Sequence, residues 1–235
     1  MVNNEKHILR YARQTCLPEI GRDGQEKLGK AKVLVVGVGG LGSPVALYLA
    51  AAGIGSIGII DEDKIELHNL QRQIMFDTYY LTRPKVEIAA ERLTDLNPEV
   101  KVEPYNFRLT ADNISGIINN YDIVADCTDN FETRFLINDH CMEQGKILVS
   151  AAVSGFEGQL YTFKKGISSY RDIYDVPPEG LIPSCEMAGI MGSTCGIVGS
   201  MQANEVIKEV LGMESLAGHM LVWDGIKNDL KKIKL

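Results

Sequence analysis

A glycine-rich loop near residue 40 has the composition and spacing of a phosphate-binding loop. Gly37, Gly39 and Gly42 form a Gly-x-Gly-x-x-Gly pattern that follows a β-branched apolar run and opens an Ala-rich stretch. Because glycine has no side chain, backbone N–H groups and the positive end of the following helix can approach phosphate oxygens there. Asp61 ends the next apolar run, where its carboxylate would accept hydrogen bonds from ribose hydroxyls. The alternative is a tight turn without a ligand, and the pattern alone occurs in several classes of nucleotide-binding enzyme.

Two cations beyond this loop distinguish between those classes. Residues 61–73 are polar and dense in charge, and Arg83-Pro84-Lys85 follows at a predicted helix start. A hydride-transfer enzyme has no need of further cations, whereas an enzyme acting on a triphosphate must neutralise the phosphates being displaced. Arg72 offers a planar fork to phosphate, and Lys85 offers a point charge. The alternative is a solvated surface segment with incidental basic residues.

A pair of carboxylates ends another predicted strand, in the run Ala125-Asp126-Cys127-Thr128-Asp129-Asn130. Ligands of open α/β sheets lie at that edge. Mg²⁺ prefers a few carboxylates together with phosphate oxygens, so this pair would suit it. One carboxylate could equally cap the helix that follows Asn130. We therefore assign Asp126 mainly to structure and Asp129 mainly to the metal.

Predicted strands and helices alternate through the first two thirds of the chain. Strands are predicted at 32–36, 57–60, 100–105, 122–126 and 147–150, and helices at 43–52, 84–96, 111–118 and 132–144. Such alternation implies parallel βαβ units with helices on both faces of the sheet. The last third predicts a strand at 158–163, an irregular segment at 164–189, a helix at 191–211 and closing strands at 219–223 and 230–235. We expect an α/β, Rossmann-like fold with a mostly parallel sheet and antiparallel C-terminal strands.

Composition narrows the function classes. The 235 residues carry 24 Lys and Arg against 31 Asp and Glu, a net charge of −7, which argues against nucleic acid or a membrane surface as partner. No apolar run is long enough to span a bilayer, and the N-terminus has no apolar signal region. The five cysteines form no Cys-x-x-Cys pair, which favours reduced thiols and a cytoplasmic location.

Several motifs in order resemble the ThiF/MoeB/HesA family, bacterial relatives of ubiquitin-activating enzymes. They are Arg10-Tyr11-x-Arg13-Gln14, the glycine loop, Asn69-Leu70-Gln71-Arg72-Gln73, Arg83-Pro84-Lys85 and Asp126-Cys127-Thr128-Asp129-Asn130. The resemblance runs from about residue 10 to 224. It implies adenylylation of the C-terminal Gly-Gly carboxylate of a ubiquitin-like sulfur carrier protein, with ATP and Mg²⁺, releasing pyrophosphate. It also implies a homodimer.

The resemblance further implies a role for each matched residue. Asp61 would hold the ribose, Arg72 and Lys85 would bind phosphates, Asp129 would position Mg²⁺, and Arg13 would enter the neighbour's site in trans. The implied nucleotide-binding set is Gly37, Gly39, Gly40, Gly42, Asp61, Asp63, Asn69, Arg72, Gln73 and Lys85. We expect one domain over 1–235, with a nucleotide-binding part at about 1–150 and a carrier-binding part at about 151–235.

Two further features concern cysteine. Members of this subgroup commonly bind a structural zinc through two Cys-x-x-Cys pairs, but Tyr170-Arg171-Asp172-Ile173 stands at the first position, so no zinc is expected. The run Pro183–Gly189 resembles the family segment whose cysteine captures the activated carrier or takes part in sulfur transfer from a donor protein. Cys185 is therefore a candidate catalytic residue, and a partly buried cysteine without chemistry is the alternative. Cys127, Cys141 and Cys195 are predicted to be structural.

The preferred interpretation is an adenylyltransferase of a sulfur carrier protein. Local sequence at 73–76 and 152–159 favours the thiamine pathway, and the molybdopterin-pathway member is the alternative. A non-catalytic dimeric scaffold that binds nucleotide, and a dinucleotide oxidoreductase, are the competitors from other classes.

Overall fold

An eight-stranded sheet runs through the computed structural model, which describes residues 4–176 and 189–235. The strands are β1 (Lys32–Val36), β2 (Ser56–Ile60), β3 (Lys101–Tyr105), β4 (Ile123–Asp126), β5 (Ile147–Ser154), β6 (Glu157–Phe163), β7 (His219–Asp224) and β8 (Asp229–Lys234). The helices in the described ranges are α1 (Asn4–Thr15), α2 (Gly21–Lys30), α3 (Gly42–Ala52), α4 (Lys85–Leu96), α5 (Ile114–Ile118), α6 (Phe131–Gln144) and α7 (Gly192–Leu211).

The strand order is β3-β2-β1-β4-β5-β6-β7-β8. Pairing is parallel from β3 to β5 and antiparallel from β5 to β8. One apolar core lies between the sheet and α3, α4 and α7, and a second lies between the sheet and α5 and α6. This arrangement confirms the predicted Rossmann-like α/β fold. The order reverses between β1 and β4, and the carboxyl ends of neighbouring strands diverge there to leave a crevice.

Two predicted elements have different bounds for local reasons. Helix α5 starts at Ile114, later than predicted, because Asn113 accepts a hydrogen bond from the Thr110 N–H and donates one to the Arg108 carbonyl, each at 2.9 Å. These side-chain bonds build a turn in place of a first helical turn. Strand β5 continues to Ser154 because β6 pairs with it through a tight hairpin at Gly155, whose φ is +55°.

Two helices that the sequence patterns do not predict precede β1. Helix α1 is anchored by Tyr11, which is 2% exposed and accepts a hydrogen bond from Asn97 Nδ2 at 2.8 Å. Gln14 donates to Gln25 and to the Ala52 carbonyl, joining α1 to α2 and to the end of α3. Among the described residues, no helix has the length and apolar character needed to cross a membrane.

A clasp of polar and aromatic contacts holds residues 168–176 against α6. Arg171 donates to both carboxylate oxygens of Asp139 at 2.7 Å, and its guanidinium lies 5.0 Å from the ring centre of Phe135. Tyr170 is buried among aromatic rings, and its N–H donates to Asn138 Oδ1 at 2.9 Å. The family's first cysteine pair would stand here. The described residues contain no cluster of three His, Cys, Asp or Glu side chains able to hold a metal.

The clasp makes stability depend on pH. The Arg171 guanidinium lowers the pKa of Asp139, so this carboxylate stabilises the fold above the usual aspartate pKa of about 3.9, and the contribution disappears as the pH falls through the lowered value. We expect Asp139→Asn to lower the melting temperature at pH 7 by about 2 °C. The difference from wild type should shrink below about pH 4 and in high salt.

The matched control is Asp112→Asn, which alters an exposed carboxylate in another loop. A chelator should leave the melting temperature of wild type and both variants unchanged. A difference between Asp139→Asn and wild type that is the same at pH 3 and pH 7 would contradict the role of the ion pair.

Candidate nucleotide-binding site

An open cleft of about 650 Å³ lies at the carboxyl ends of β1, β2, β4 and β5. The predicted site residues that line it are Gly37, Gly39, Gly40, Asp61, Asp63, Arg72, Gln73, Lys85 and Asp129. Gly42, Asn69 and Arg13 do not line it, and Cys185 lies outside the described residues. The structure therefore brings most of the predicted set, drawn from separate segments of the chain, to one crevice.

The glycine loop brings backbone close to backbone. A Cβ on Gly42 would lie 1.9 Å from the Gly37 carbonyl oxygen, and Gly37 itself has a φ of +85°. Ser43 Oγ donates to the Gly39 carbonyl at 2.7 Å, which ties the loop to the first turn of α3. Gly42 is thus needed for the tight turn, whereas Gly37, Gly39 and Gly40 expose the backbone to the cleft.

Asp61 is bonded to this loop. Its two carboxylate oxygens accept from the N–H groups of Val38 and Asp63, each at 2.9 Å. Burial raises its pKa, while Lys85 and the two N–H groups oppose that rise. Because each carboxylate oxygen has a further lone pair, Asp61 can fix the loop and still accept from a ligand hydroxyl.

Lys85 is a buried cation, 4% exposed, at the start of α4. Its ammonium lies 2.7 Å from Asp63 Oδ2, and its backbone N–H donates to the Asp63 carbonyl at 2.9 Å. The Asp63 side chain is 62% exposed, and both members of this ion pair line the cleft. Lys85 is thereby held with its charge at the β2 end, where phosphate oxygens would need it.

Asn69 shapes the turn that presents Arg72 and Gln73. Its carbonyl accepts from the N–H groups of both residues, at 3.0 and 2.9 Å, and its side chain is buried. Arg72 lines the cleft, and its Nη1 donates to the His68 carbonyl at 3.1 Å. Gln73 is 3% exposed, and its buried Oε1 has no hydrogen-bond donor among the described residues. This orphaned acceptor fits a ligand donor or a water in the cleft.

Asp126 organises the end of β4, as its predicted structural role requires. It is 1% exposed, and Oδ1 accepts from the Thr128 N–H and hydroxyl at 3.0 and 2.6 Å. Ser150 Oγ donates to Oδ2 at 2.6 Å. Asp129 is exposed at the cleft. The alternative that one carboxylate caps α6 is wrong, because Asn130 accepts from the Thr133 N–H at 2.9 Å and forms the cap.

Gln202 on α7 supports the same strand ends. It is fully buried, and its Nε2 donates to the carbonyls of Asp126 and Val149 at 2.8 and 3.0 Å. The Cys127 thiol donates to Gln202 Oε1 at 3.4 Å. These bonds hold the start of the Cys127–Asn130 loop to both β4 and β5.

Arg134 is a cleft residue that sequence analysis missed. It is 6% exposed, and its Nη2 donates to the Thr128 carbonyl. Burial lowers its pKa, but Asp126 and the neighbouring tyrosines raise the pKa by more than burial lowers it. The guanidinium therefore stays charged. The available signal was its spacing: Arg134 recurs with Asn138 and Cys141 on the buried face of α6.

Other missed residues come from segments that only the strand order brings together. Phe107 and Arg108, which follow β3, line the half of the cleft at the ends of β1 and β2. Residues of the β5–β6 hairpin line the opposite half, together with Tyr174. No local pattern identifies them, because their positions depend on β3 and β6 lying at opposite sides of β1 and β4.

Arg13 does not line the cleft, and three of the cysteines are buried. Arg13 is exposed in the last turn of α1. Cys127, Cys141 and Cys195 are buried, as a structural role predicts, and burial raises the pKa of Cys127 and Cys141. The Cys195 thiol lines the cleft and lies 2.8 Å from where a Cβ on Gly40 would stand, so it also limits that loop position to glycine.

The sequence model of the ThiF family matches residues 11–235. The chain is 43% identical to the sulfur carrier protein adenylyltransferase of Thermus thermophilus, over 97% of this chain and 88% of that protein. It is 45% identical to the adenylyltransferase and sulfurtransferase MOCS3 of Xenopus laevis, over 97% of this chain. It is 39% identical to the probable adenylyltransferase/sulfurtransferase MoeZ of Mycobacterium tuberculosis, over 99% of this chain. The chain spans 51% and 61% of the lengths of these last two proteins.

Solved structures with a similar fold include Escherichia coli MccB with ATP. That structure superposes with a TM-score of 0.80 at 22% identity, covering 96% of this chain and 71% of the other. MccB with MccA-N7isoASN gives a TM-score of 0.83 at 20% identity, covering 97% of this chain and 71% of the other. At these identities the likeness is one of fold.

Proposed function

The chain belongs to the ThiF family, and from that premise we propose that it adenylylates the C-terminal Gly-Gly carboxylate of a ubiquitin-like sulfur carrier protein. The observation that carries the proposal is the convergence of the glycine loop, Arg72, Lys85 and Asp129 on one cleft. Relatives at 39–45% identity are named adenylyltransferases, which supports the same reaction class.

In the proposed reaction a carboxylate oxygen of the carrier attacks the α-phosphorus of ATP in line. A phosphorus–oxygen bond forms to the carboxylate, the bond from the α-phosphorus to the bridging oxygen breaks, and pyrophosphate leaves with that electron pair. The chain supplies position and charge and no covalent nucleophile for this step. Arg72 and Lys85 would neutralise the charge that builds on the leaving phosphates.

The residues present fit ATP and a magnesium ion. Gly37, Gly39 and Gly40 line the cleft, so the backbone of the glycine loop can approach a ligand there without an intervening side chain. Asp129 offers an exposed carboxylate at the same cleft, and Mg²⁺ bound to phosphates needs only one or two such ligands. When bound, the ion would stabilise charge on the phosphates. No structural zinc is part of the proposal.

The proposed pathway is thiamine biosynthesis, on the local sequence at 73–76 and 152–159. The molybdopterin pathway is the alternative, and carrier preference distinguishes the two. A scaffold that binds nucleotide without turnover would show no exchange of pyrophosphate into ATP with any carrier. A dinucleotide oxidoreductase would show a nicotinamide-dependent change in absorbance.

Carrier-dependent ATP–pyrophosphate exchange tests the reaction and its residues. Asp129→Ala and Arg72→Ala should each lower the exchange rate about 100-fold, because a charged contact to the transition state contributes about 3 kcal/mol. The matched control is Asp95→Ala, an exposed carboxylate on α4 outside the cleft. Exchange at the wild-type rate in both site variants would refute the assignment.

Arg13 should act across a homodimer. Tyr11 and Gln14 anchor α1, and Arg13 does not line the cleft of its own chain, so a role in catalysis requires a second chain. Arg13→Ala and Arg72→Ala chains should each be inactive alone, and mixing them should restore part of the exchange, since one site per mixed dimer regains both arginines. Mixed dimers without recovered activity would show that Arg13 does not act in trans.

Cys185 should matter only after adenylylation. That step needs no thiol, so Cys185→Ser should keep exchange within a few-fold of wild type. It should abolish a reducible or thiolysable adduct with the carrier and slow sulfur delivery from a donor protein. Cys16→Ser, at an exposed cysteine, is the control. Sulfur delivery at the wild-type rate by Cys185→Ser would make the cysteine structural.

A further inference from the structure

We propose that Arg134 binds the terminal carboxylate of the acyl substrate in the β5–β6 half of the cleft. This inference rests on the proposed function and adds a substrate-binding residue to it. The observation behind it is an unsatisfied donor. Arg134 is 6% exposed and lines the cleft, and its buried Nη1 makes no hydrogen bond within residues 4–176 and 189–235, although the Tyr170 hydroxyl interacts with the guanidinium.

An unpaired guanidinium N–H in the protein interior is unusual, because the group loses its water without gaining a partner. Nη2 is already used, since it donates to the Thr128 carbonyl. Nη1 therefore remains as a donor held in place by the rest of the side chain. A ligand oxygen that reaches the guanidinium from the cleft would satisfy Nη1, after a small shift of the side chains that cover this atom.

The position of Arg134 indicates which ligand group that oxygen belongs to. The glycine loop, Asp61, Arg72 and Lys85 occupy the β1–β2 half of the cleft and suit a nucleotide. Arg134 stands on α6, which follows β4, and the nearby lining residues Ser154, Gln159 and Tyr174 belong to the opposite half. These three side chains are uncharged hydrogen-bonding groups, and Glu157 on β6 adds a carboxylate to the same half. None of the four supplies the positive charge that a triphosphate needs, whereas uncharged hydrogen-bonding groups suit a peptide terminus.

Charge explains why a carboxylate needs Arg134 there. Asp126 is 1% exposed, and its negative charge acts on Arg134 within the same buried network. Asp129 adds a second carboxylate to the cleft. An incoming carboxylate would meet repulsion from both, and the Arg134 guanidinium offsets it while offering a directed hydrogen bond. Bonding one carboxylate oxygen to Nη1 leaves the other oxygen to attack the α-phosphorus.

Arg134→Lys tests this assignment while keeping a positive charge beside Asp126. A single ammonium cannot reproduce two rigidly placed donors, one to the Thr128 carbonyl and one to the ligand. We expect KM for the carrier to rise about tenfold or more, the size of one charge-assisted hydrogen bond. The dissociation constant of ATP should stay within twofold of wild type. Arg83→Lys, at an exposed arginine that precedes α4 and pairs with Glu87, is the matched control.

A second measurement separates binding from a purely structural role. The probes are a ubiquitin-like carrier ending in Gly-Gly as the free acid and the same carrier as the C-terminal amide, both titrated with a non-hydrolysable ATP analogue present. Wild type should bind the acid more tightly than the amide, and Arg134→Lys should lose that preference. A structural defect would weaken both probes equally and leave the ratio unchanged. If Arg134→Lys does not fold, the pair Arg134→Gln with Asp126→Asn, which removes both buried charges together, replaces it.

The outcomes are distinct. An unchanged acid-to-amide ratio in the variant, or no preference in wild type, overturns the Arg134 proposal. Weaker ATP binding with an unchanged ratio assigns Arg134 to phosphate instead and also overturns it. Because titration needs no turnover, a wild type that prefers the free acid but shows no exchange contradicts the proposed function alone. A wild type that binds neither probe contradicts both.

Discussion

The cleft depends on one buried carboxylate, that of Asp126 at the end of β4. Both of its oxygens are bonded, to Thr128 and Ser150, and the Arg134 guanidinium lies in the same network. A buried charge is costly unless it is paired and hydrogen-bonded, so this set must form as a unit. Through these bonds, the start of the loop that carries Asp129 is held to the ends of β4 and β5.

Helix α7 connects this network to the glycine loop through close contacts. Gln202 bonds the ends of β4 and β5, and one turn earlier Gly199 lies so near α3 that a Cβ would stand 2.5 Å from Pro44 Cγ. At the start of α7, a Cβ on Gly192 would lie 2.2 Å from the Gln71 carbonyl oxygen. The C-terminal third therefore packs directly against the segment that presents Arg72 and against α3, which follows the glycine loop. Because these contacts are close-packed, a small shift of α7 would displace residues in both halves of the cleft.

The two halves of the cleft differ in how their polar groups are satisfied. In the half of the cleft at the ends of β1 and β2, Lys85 is paired with Asp63, and Asp61 accepts hydrogen bonds from backbone N–H groups. Two buried polar atoms remain without partners among the described residues lining the cleft, Gln73 Oε1 and Arg134 Nη1. One half of the cleft therefore has an unsatisfied acceptor, and the other half has an unsatisfied donor. The hydrogen-bonding groups that lack partners indicate more about the substrates than the volume of the cleft does.

Sequence alone determined the parallel sheet, its antiparallel closing strands and nine of the residues that line the cleft, because these follow from local patterns and motifs. Strand and helix periodicity, the glycine spacing and the polar residues that end each strand are all legible along the chain. Helices α1 and α2 were missed, and their position is held by long-range bonds such as that from Asn97 to Tyr11. Tertiary structure alone decided that Asp61 bonds the glycine loop, that Asn69 supports the turn below the cleft, and that Arg134 lies buried beside Asp126. The physical reason is that burial and hydrogen-bond partnership are set by neighbours distant in sequence, which no local spacing encodes.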